Sequence, residues 1–310
     1  MEKGSSIYIP NHEAMIGSAV LRRLKAEGYK RVITKTPSEL DLIDQKSVFE
    51  FFKQEKPEYV VLTSIRIGGI LANNRYPAEF IYQNIQSQSN VIHAAWQAGV
   101  KKLLYLGSSC MYPRECPQPI KEDYLFTGKL EPTSEPYAVA KIAGLTMCRS
   151  YSRQYGSNFI SAIPADLYGP GDDFNPETSH FFPALLKRIH EAKVENRSEI
   201  VVWGSGSPRR ECLYIDDLAD AVIFLLQEYE GPEVINIGSG RDFSIKELVL
   251  LLTNVIGVKS EIKFDNSKPD GMPRKLLDIS KIEKLGWSPN INIEMGIKKS
   301  YQWYLKNFIS

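Results

Sequence analysis

A tyrosine and a lysine lie four residues apart in the stretch EPYAVAK, as Tyr137 and Lys141. Side chains with this spacing share one face of a helix, and Pro136 suits the first turn of that helix. An ammonium group beside a phenol stabilises the phenolate, so the pair could exchange a proton with an oxygen atom held near the helix start. The alternative interpretation is a packed tyrosine beside a solvated lysine.

A serine and a cysteine follow a buried strand in LLYLGSSCMYP, as Ser108 and Cys110. Parallel α/β sheets bind ligands beyond the carboxyl ends of their strands, which predicts that both residues line a cleft. There the serine hydroxyl could hydrogen-bond the same oxygen as Tyr137, which completes a Ser/Tyr/Lys set. Cys110 is either a small buried residue or, beside that serine, an acid or base.

The N-terminal stretch IYIPNHEAMIGSAVLRRL has the outline of a strand, a tight turn and a helix whose first amides could face a pyrophosphate. Glycines spaced three apart would suit such a turn, but only Gly17 is present. Asn11 tolerates a positive φ and can still make the turn, whereas Ala14 puts a methyl group where the pyrophosphate would approach. An ordinary strand–turn–helix without a ligand is the alternative.

Composition and charge limit the class of protein. The chain has 310 residues, 43% apolar and 24% charged, which suits one large or two modest globular domains. A net charge of +1 without charge blocks argues against nucleic-acid binding, and no apolar run reaches the roughly 20 residues of a membrane span. The cysteines show neither disulfide nor metal-site spacing, which predicts a cytoplasmic protein without a structural metal. They are Cys110, Cys116, Cys148 and Cys212.

Short apolar runs alternate with helical patterns up to about Tyr168, which predicts an α/β fold with a Rossmann-like, doubly wound parallel sheet. A Gly/Pro-rich break, GPGDDFNPETS, then precedes a smaller C-terminal region. We expect a dinucleotide-binding domain over residues 1–171, to which 211–238 return. The predicted substrate domain comprises 172–210 and 239–310.

The sequence resembles the GDP-L-fucose synthase family, NADPH-dependent 3,5-epimerase/4-reductases of the extended short-chain dehydrogenases. The resemblance covers nearly the whole chain. It is carried by GGILANNRYPAEFIYQN, GSSCMYP, LEPTSEPYAVAKIAG, SYSRQYG, LYGPGDDFNPETSHFFPALLKRIHEA, VVWGSGSPRRE and SKPDGMPRKLLD.

The resemblance implies a role for each catalytic candidate. Ser108, Tyr137 and Lys141 match the dehydrogenase triad, and Cys110 and His180 match the acid/base pair on opposite faces of the hexose. A 4-ketone acidifies the hydrogens on C3 and C5, so one group removes a proton and the other returns it from the other side. A hydride from the nicotinamide then reduces C4, and Tyr137 protonates the oxygen.

The binding residues are implied in the same way. Guanidinium groups suit the two phosphates of a GDP-sugar. The substrate positions are Arg188, Trp203, Arg210 and Asp270. The positions expected to contact NADP are Asn11, Ala14, Met15, Ile16, Gly17, Lys35, Asp41, Leu42, Leu106, Gly107, Lys141, Pro164, Leu167 and His180.

Departures from the family pattern lie on the cofactor side. Glu13 and Pro37 stand where the family has arginines that neutralise the adenosine 2′-phosphate of NADP, and Lys35 is the remaining nearby cation. Bulkier residues, 63–65, replace the Ala-Ala pair that ends the third strand. Each lost phosphate partner costs on the order of a kcal/mol in a partly exposed site, so we expect weakened NADPH binding.

Three functions therefore stay open at this point. The first is the full epimerase/reductase, which either uses NADPH weakly or accepts NADH because Glu13 favours a free ribose hydroxyl. The second is an isomerase that releases an epimerised ketosugar without reducing it. The third is a catalytically silent sugar-nucleotide-binding subunit, although the intact set of five catalytic candidates argues against it. The resemblance also implies a homodimer formed through two long helices of each subunit.

Overall fold

The computed structural model describes residues 1–63, 66–267 and 270–309. The strands are β1 (Ser6–Pro10), β2 (Arg31–Lys35), β3 (Tyr59–Leu62), β4 (Lys102–Leu106), β5 (Phe159–Pro164), β6 (Asp166–Tyr168), β7 (Glu199–Trp203), β8 (Arg209–Tyr214), β9 (Val234–Ile237), β10 (Asp242–Ser244), β11 (Glu261–Asp265) and β12 (Arg274–Lys275). The α-helices are α1 (Met15–Ala26), α2 (Gln45–Glu55), α3 (Ile70–Arg75), α4 (Pro77–Gln97), α5 (Glu135–Tyr155), α6 (Phe181–Val194), α7 (Ile215–Glu228), α8 (Ile245–Ile256), α9 (Ser280–Lys284) and α10 (Ile293–Tyr304). Short 3₁₀ helices cover Ser109–Met111, Glu122–Tyr124 and Pro132–Ser134, and a π-helical turn covers Leu305–Ile309.

The central sheet has six parallel strands in the order β2-β1-β3-β4-β5-β9. Its inner strands are apolar on both faces, because helices cover both sides of the sheet. Helix α1 packs against α7 on one face, whereas α2, α4 and α5 form the other layer. The predicted doubly wound α/β fold is confirmed.

A second group of strands surrounds β8, which pairs with β6, β10 and β12. Strands β7 and β11 form a separate parallel pair. Helices α6, α8 and α10 and the β7/β11 pair supply most of a second hydrophobic cluster, separate from the cluster of the central sheet. Strand β9 pairs with β5, so the segment 211–238 contributes an edge strand to the central sheet. The domain limits given above stay a prediction.

The first turn of the chain has the geometry that a Rossmann-like sheet needs. Asn11 adopts φ 56°, as its residue type predicted. Gly17 lies against this turn, because a Cβ atom there would overlap the carbonyl oxygen of Asn11 and lie 2.7 Å from the Cα atom of His12. The turn and the start of α1 are therefore packed backbone against backbone.

Across the described parts of the chain, we find no helix with the length and apolarity that a membrane span requires.

The close packing at Gly17 yields a stability prediction. An alanine in a helix is ordinarily favoured over glycine by about 1 kcal/mol, but the overlap with the Asn11 turn costs about 1–3 kcal/mol. We expect Gly17→Ala to lower the free energy of unfolding by up to about 2 kcal/mol, measured by urea denaturation. Gly4→Ala is the matched control, because no atom lies within 4 Å of the added methyl group. Equal stabilities of the two variants would contradict the packing argument.

Candidate active site

Helix α5 carries Tyr137 and Lys141 near its first turn, and Pro136 stands in that turn as predicted. Tyr137 packs edge-on against Phe80, with ring centroids 6.3 Å apart. Lys141 is fully buried, and its Nζ atom lies 4.3 Å from the centroid of the Tyr105 ring. Burial lowers the pKa of Lys141 to about 7, so this lysine can gain or lose a proton near neutral pH.

The serine of the predicted triad begins the 3₁₀ turn after β4. Ser108 has an extended backbone, and its Oγ atom accepts a hydrogen bond of 3.3 Å from the amide of Cys110. Strand β4 ends at the same sheet edge as β1, β3 and β5, because these strands are parallel. Ser108 and Cys110 therefore stand at the carboxyl edge, where the sequence predicted the cleft.

Cys110 contacts an ion pair that the sequence analysis did not find. The Nζ atom of Lys275 lies 3.8 Å from the Cys110 Sγ atom and 3.0 Å from the Oδ1 atom of Asp166. Ser109 donates a further hydrogen bond of 3.4 Å to the same carboxylate oxygen. Burial raises the pKa of Asp166, but Lys275, Arg210 and His180 together lower it by more, so the carboxyl stays ionised.

His180 immediately precedes α6 and interacts electrostatically with the same ion pair. Desolvation by the surrounding protein lowers the pKa of this imidazole. Asp166 opposes that effect, and Lys275 reinforces it. The structure thus brings together Cys110 and His180, which are 70 residues apart in the sequence, around one ion pair.

The segment before His180 is held by backbone contacts. The amide of Gly69 donates a hydrogen bond of 2.8 Å to the carbonyl oxygen of Thr178. A Cβ atom at Gly69 would overlap the carbonyl oxygen of Ser179, so only glycine allows this approach. The loop after β3 and the loop before α6 are thereby joined next to the imidazole.

The start of α1 fits a dinucleotide pyrophosphate. Ala14 precedes the helix with an extended backbone (φ −71°, ψ 162°), and as the N-cap residue it has no side chain that could accept a hydrogen bond from the first amides. These amides lie at the β1/β3 switch point of the sheet, where the helix dipole and the N–H groups of the first turn attract phosphate.

The adenosine side of this turn carries little positive charge. Glu13 and Pro37 are exposed, and Lys35, the last residue of β2, lies 3.9 Å from the carboxylate of Glu39. The pKa of Glu39 is lowered chiefly by the hydrogen bond from the Thr36 amide, so this carboxylate is ionised beside the lysine. Glu39, which the sequence analysis did not single out, therefore offsets the one cation predicted to face a 2′-phosphate.

The other predicted cofactor residues lie at the carboxyl ends of strands of the central sheet or in the segments that come next in the chain. They are Met15, Ile16 and Gly17 in the first turn of α1, Asp41 and Leu42 after β2, Leu106 and Gly107 at the end of β4, Pro164 at the end of β5 and Leu167 in β6. Ser64 and Ile65, part of the predicted bulkier segment, lie outside the described residues.

The predicted substrate residues form two pairs. Arg188 lies over the exposed ring of Trp203, 5.9 Å from its centroid, and donates a hydrogen bond of 2.8 Å to the carbonyl oxygen of Val201. Arg210 and Asp270 interact electrostatically, and Asp270 also accepts a hydrogen bond of 2.7 Å from the Ser205 hydroxyl. Arg210 joins this second pair to the Asp166–Lys275 ion pair.

The sequence profile of the NAD dependent epimerase/dehydratase family matches residues 12–238. The chain is 52% identical to a putative GDP-L-fucose synthase 2 of Arabidopsis thaliana, over 100% of this chain and 94% of that protein. It is 48% identical to the GDP-L-fucose synthase of Escherichia coli, over 97% of each chain. A solved structure of a GDP-mannoheptose C4 reductase from Campylobacter jejuni with NADP bound superposes with a TM-score of 0.90 at 41% identity, covering 98% of this chain and 99% of that one.

The family match covers more than half of the chain, and the curated relatives match it nearly from end to end. The protein belongs to the NAD dependent epimerase/dehydratase family, within its GDP-L-fucose synthase branch.

Proposed function

We propose that this protein is a GDP-L-fucose synthase, which epimerises C3 and C5 of a GDP-4-keto-6-deoxyhexose and then reduces C4 with NADPH. The names of its relatives support the reaction class. The contact of Cys110 with the Asp166–Lys275 ion pair, within electrostatic reach of His180, carries the argument, because both candidate proton-transfer groups then interact with one ion pair.

Epimerisation needs a base and an acid on opposite sides of the ring. One of Cys110 and His180 breaks a C–H bond next to the ketone, and the electron pair moves onto the carbonyl oxygen as an enolate. The other group returns a proton to the opposite face of the same carbon, which inverts it. Arg188 and Arg210 would bind the diphosphate of the substrate.

Reduction would use the residues of α5 and of the 3₁₀ turn. When bound, NADPH supplies the hydride that reduces C4. Tyr137 donates its phenolic proton to the C4 oxygen, Ser108 hydrogen-bonds that oxygen, and Lys141, in the next turn, assists ionisation of the phenol. The first amides of α1 would hold the pyrophosphate of NADPH.

The finer cofactor proposal is that NADPH binds weakly and is preferred little over NADH. Its support is the carboxylate of Glu39 beside Lys35 and the exposed Glu13, because neither carboxylate favours a 2′-phosphate.

A cytoplasmic location, consistent with four free cysteines, likewise stays a proposal.

A homodimer is proposed through the outer face of α4 and α5. Helix α4 carries a single Asp or Glu, Glu79, and no Lys or Arg, and Tyr82 on its outer face is 60% exposed. On α5, Val139 is exposed, and Ile142 and Met147 are half-buried. An apolar face of two parallel neighbouring helices suits a four-helix bundle with a second copy.

A reciprocal pair of variants tests the reaction. In heavy water with GDP-4-keto-6-deoxymannose, we expect Cys110→Ala to lower deuterium incorporation at C3 and C5 by about a hundredfold or more, because a proton-transfer group is lost. Tyr137→Phe should instead lower NADPH-dependent reduction by a similar factor and leave exchange within a few-fold. Product mass and deuterium content are measured, with Cys116→Ala as the matched cysteine control.

Each remaining function predicts a different result in the wild type. Exchange without reduction at any concentration of NADPH or NADH would show an isomerase, and neither activity would show a silent subunit. Undiminished exchange in Cys110→Ala would remove the cysteine from the mechanism.

A triple variant tests the cofactor proposal. We expect Glu13→Arg, Ala14→Gly and Pro37→Arg together to tighten NADPH binding at least about tenfold, or about 1.4 kcal/mol, and the gain should shrink as salt rises. Calorimetric titration with NADPH and NADH measures it. The matched control is Glu230→Arg with Pro232→Arg, which adds the same charges in the loop before β9, at the amino edge of the sheet. Tight, salt-sensitive NADPH binding by the wild type would refute the proposal.

A charge on the outer face of α5 tests the dimer. The wild type should have about twice the 35.1 kDa mass of one chain by light scattering. Ala143→Arg places a cation on the exposed face of α5, and we expect it to give the monomer mass at the same concentration. Ala26→Arg, at an exposed position of α1, should leave the dimer intact. A monomeric wild type would disprove the proposed assembly.

A further inference from the structure

A third group, the ammonium of Lys275, reaches the cysteine of the proposed acid/base pair. Lys275 is the last residue of β12, and its register partner across the strand pair is Arg210 of β8. Its side chain is 14% exposed, so its charge is largely withdrawn from water. A buried ammonium persists only with a counter-charge and hydrogen-bond acceptors, and both come from Asp166 at 3.0 Å.

The charges around Lys275 come from several elements. Burial lowers the pKa of Lys275, Asp166 of β6 and Cys110 of the 3₁₀ turn raise it, and Arg210 of β8 lowers it by a smaller amount. The balance leaves Lys275 with a pKa above its ordinary value. Glu211, the neighbour of Arg210, accepts the amide of Leu277 at 2.8 Å and so fixes the chain just beyond Lys275.

We infer that Asp166 is a positioning residue, which holds the Lys275 ammonium beside Cys110 so that the cysteine can act as a thiolate base. An opposite charge at 3.8 Å favours the thiolate over the thiol. The thiolate then takes the proton from carbon: an S–H bond forms, the C–H bond breaks, and its electron pair enters the enolate. This assignment rests on the proposed function, but its test reads the thiol itself.

The same ion pair also interacts with the second proton-transfer group, His180. Lys275 lowers the pKa of His180, whereas Asp166 raises it, so the pair acts on the imidazole with opposing signs while it favours the thiolate. Removing Asp166 would leave Lys275 and Arg210 as neighbouring cations without their shared carboxylate. Lys275 would then lose its proton or move away, and the support for the thiolate would be lost.

The test follows alkylation of Cys110 by iodoacetamide as a function of pH, in the full-length protein without substrate. Trypsin separates the two accessible cysteines, with Cys110 in the peptide of residues 103–114 and Cys116 in the peptide of residues 115–121. Cys116 is an internal control, because burial is the cause that raises its pKa. The buried Cys148 and Cys212 should stay unmodified while the protein is folded.

We expect Lys275→Met to raise the midpoint of the Cys110 profile by at least about one pH unit, and Lys275→Arg to keep it within a few tenths. Asp166→Asn, which preserves shape, should also raise the midpoint, and the Cys116 profile should not change in any variant. An unchanged midpoint in Lys275→Met, or a lowered one in Asp166→Asn, would overturn the inference. If Lys275→Met exposes the buried cysteines, the inference is tested by the other two variants instead. The midpoints of the Cys110 profiles of Asp166→Asn and Lys275→Arg are then compared with that of the wild type.

Deuterium exchange separates this inference from the proposed function. If Cys110→Ala retains full exchange, the proposed reaction fails whatever the alkylation profiles show. If exchange is lost in Cys110→Ala but the profiles do not respond to Asp166→Asn, the function stands and the role of Asp166 fails.

Discussion

A cation removed from water must find a counter-charge or become easier to deprotonate, and two lysines of this site, the buried Lys141 and the partly buried Lys275, meet that constraint in opposite ways. Lys141 has an aromatic ring beneath its ammonium, and burial lowers its pKa to about 7. Lys275 is paired with the Asp166 carboxylate, and the pKa of this lysine is raised. One residue type therefore provides both a group that can titrate near neutral pH and a lasting positive charge.

The parallel sheet brings these groups together. Its strands all end at one edge, so residues that follow β1, β4 and β5 meet although they are distant in the sequence. The second group of strands supplies the rest, because β8 aligns β6 and β12 and thereby places Asp166 close to Lys275. The site therefore depends on both groups of strands being folded.

Regular local patterns in the sequence were sufficient to predict the central sheet and the Tyr137/Lys141 pair. Period-2 and period-3.6 patterns have a range of a few residues, and Asn11 could be assigned a positive φ from its type alone. The Asp166–Lys275 contact could not be found in this way, since β6 has three residues and β12 has two, too few for any periodicity. Its signal was indirect: Lys275 lies in the SKPDGMPRKLLD stretch that resembles the family. Glu39 was missed for a similar reason, because its relation to Lys35 depends on the bend of a loop.

The contact of Gly69 with Ser179 has a consequence for how such a protein can evolve. At Gly69 the backbones of the two loops pack directly against each other, so a length change in one transmits directly to the other and to His180. Adapting the cleft to a larger or smaller sugar by lengthening either loop would shift the imidazole, unless the partner loop changed with it. Related enzymes with different substrates should therefore vary these two loops as a unit, with glycine kept at their crossing.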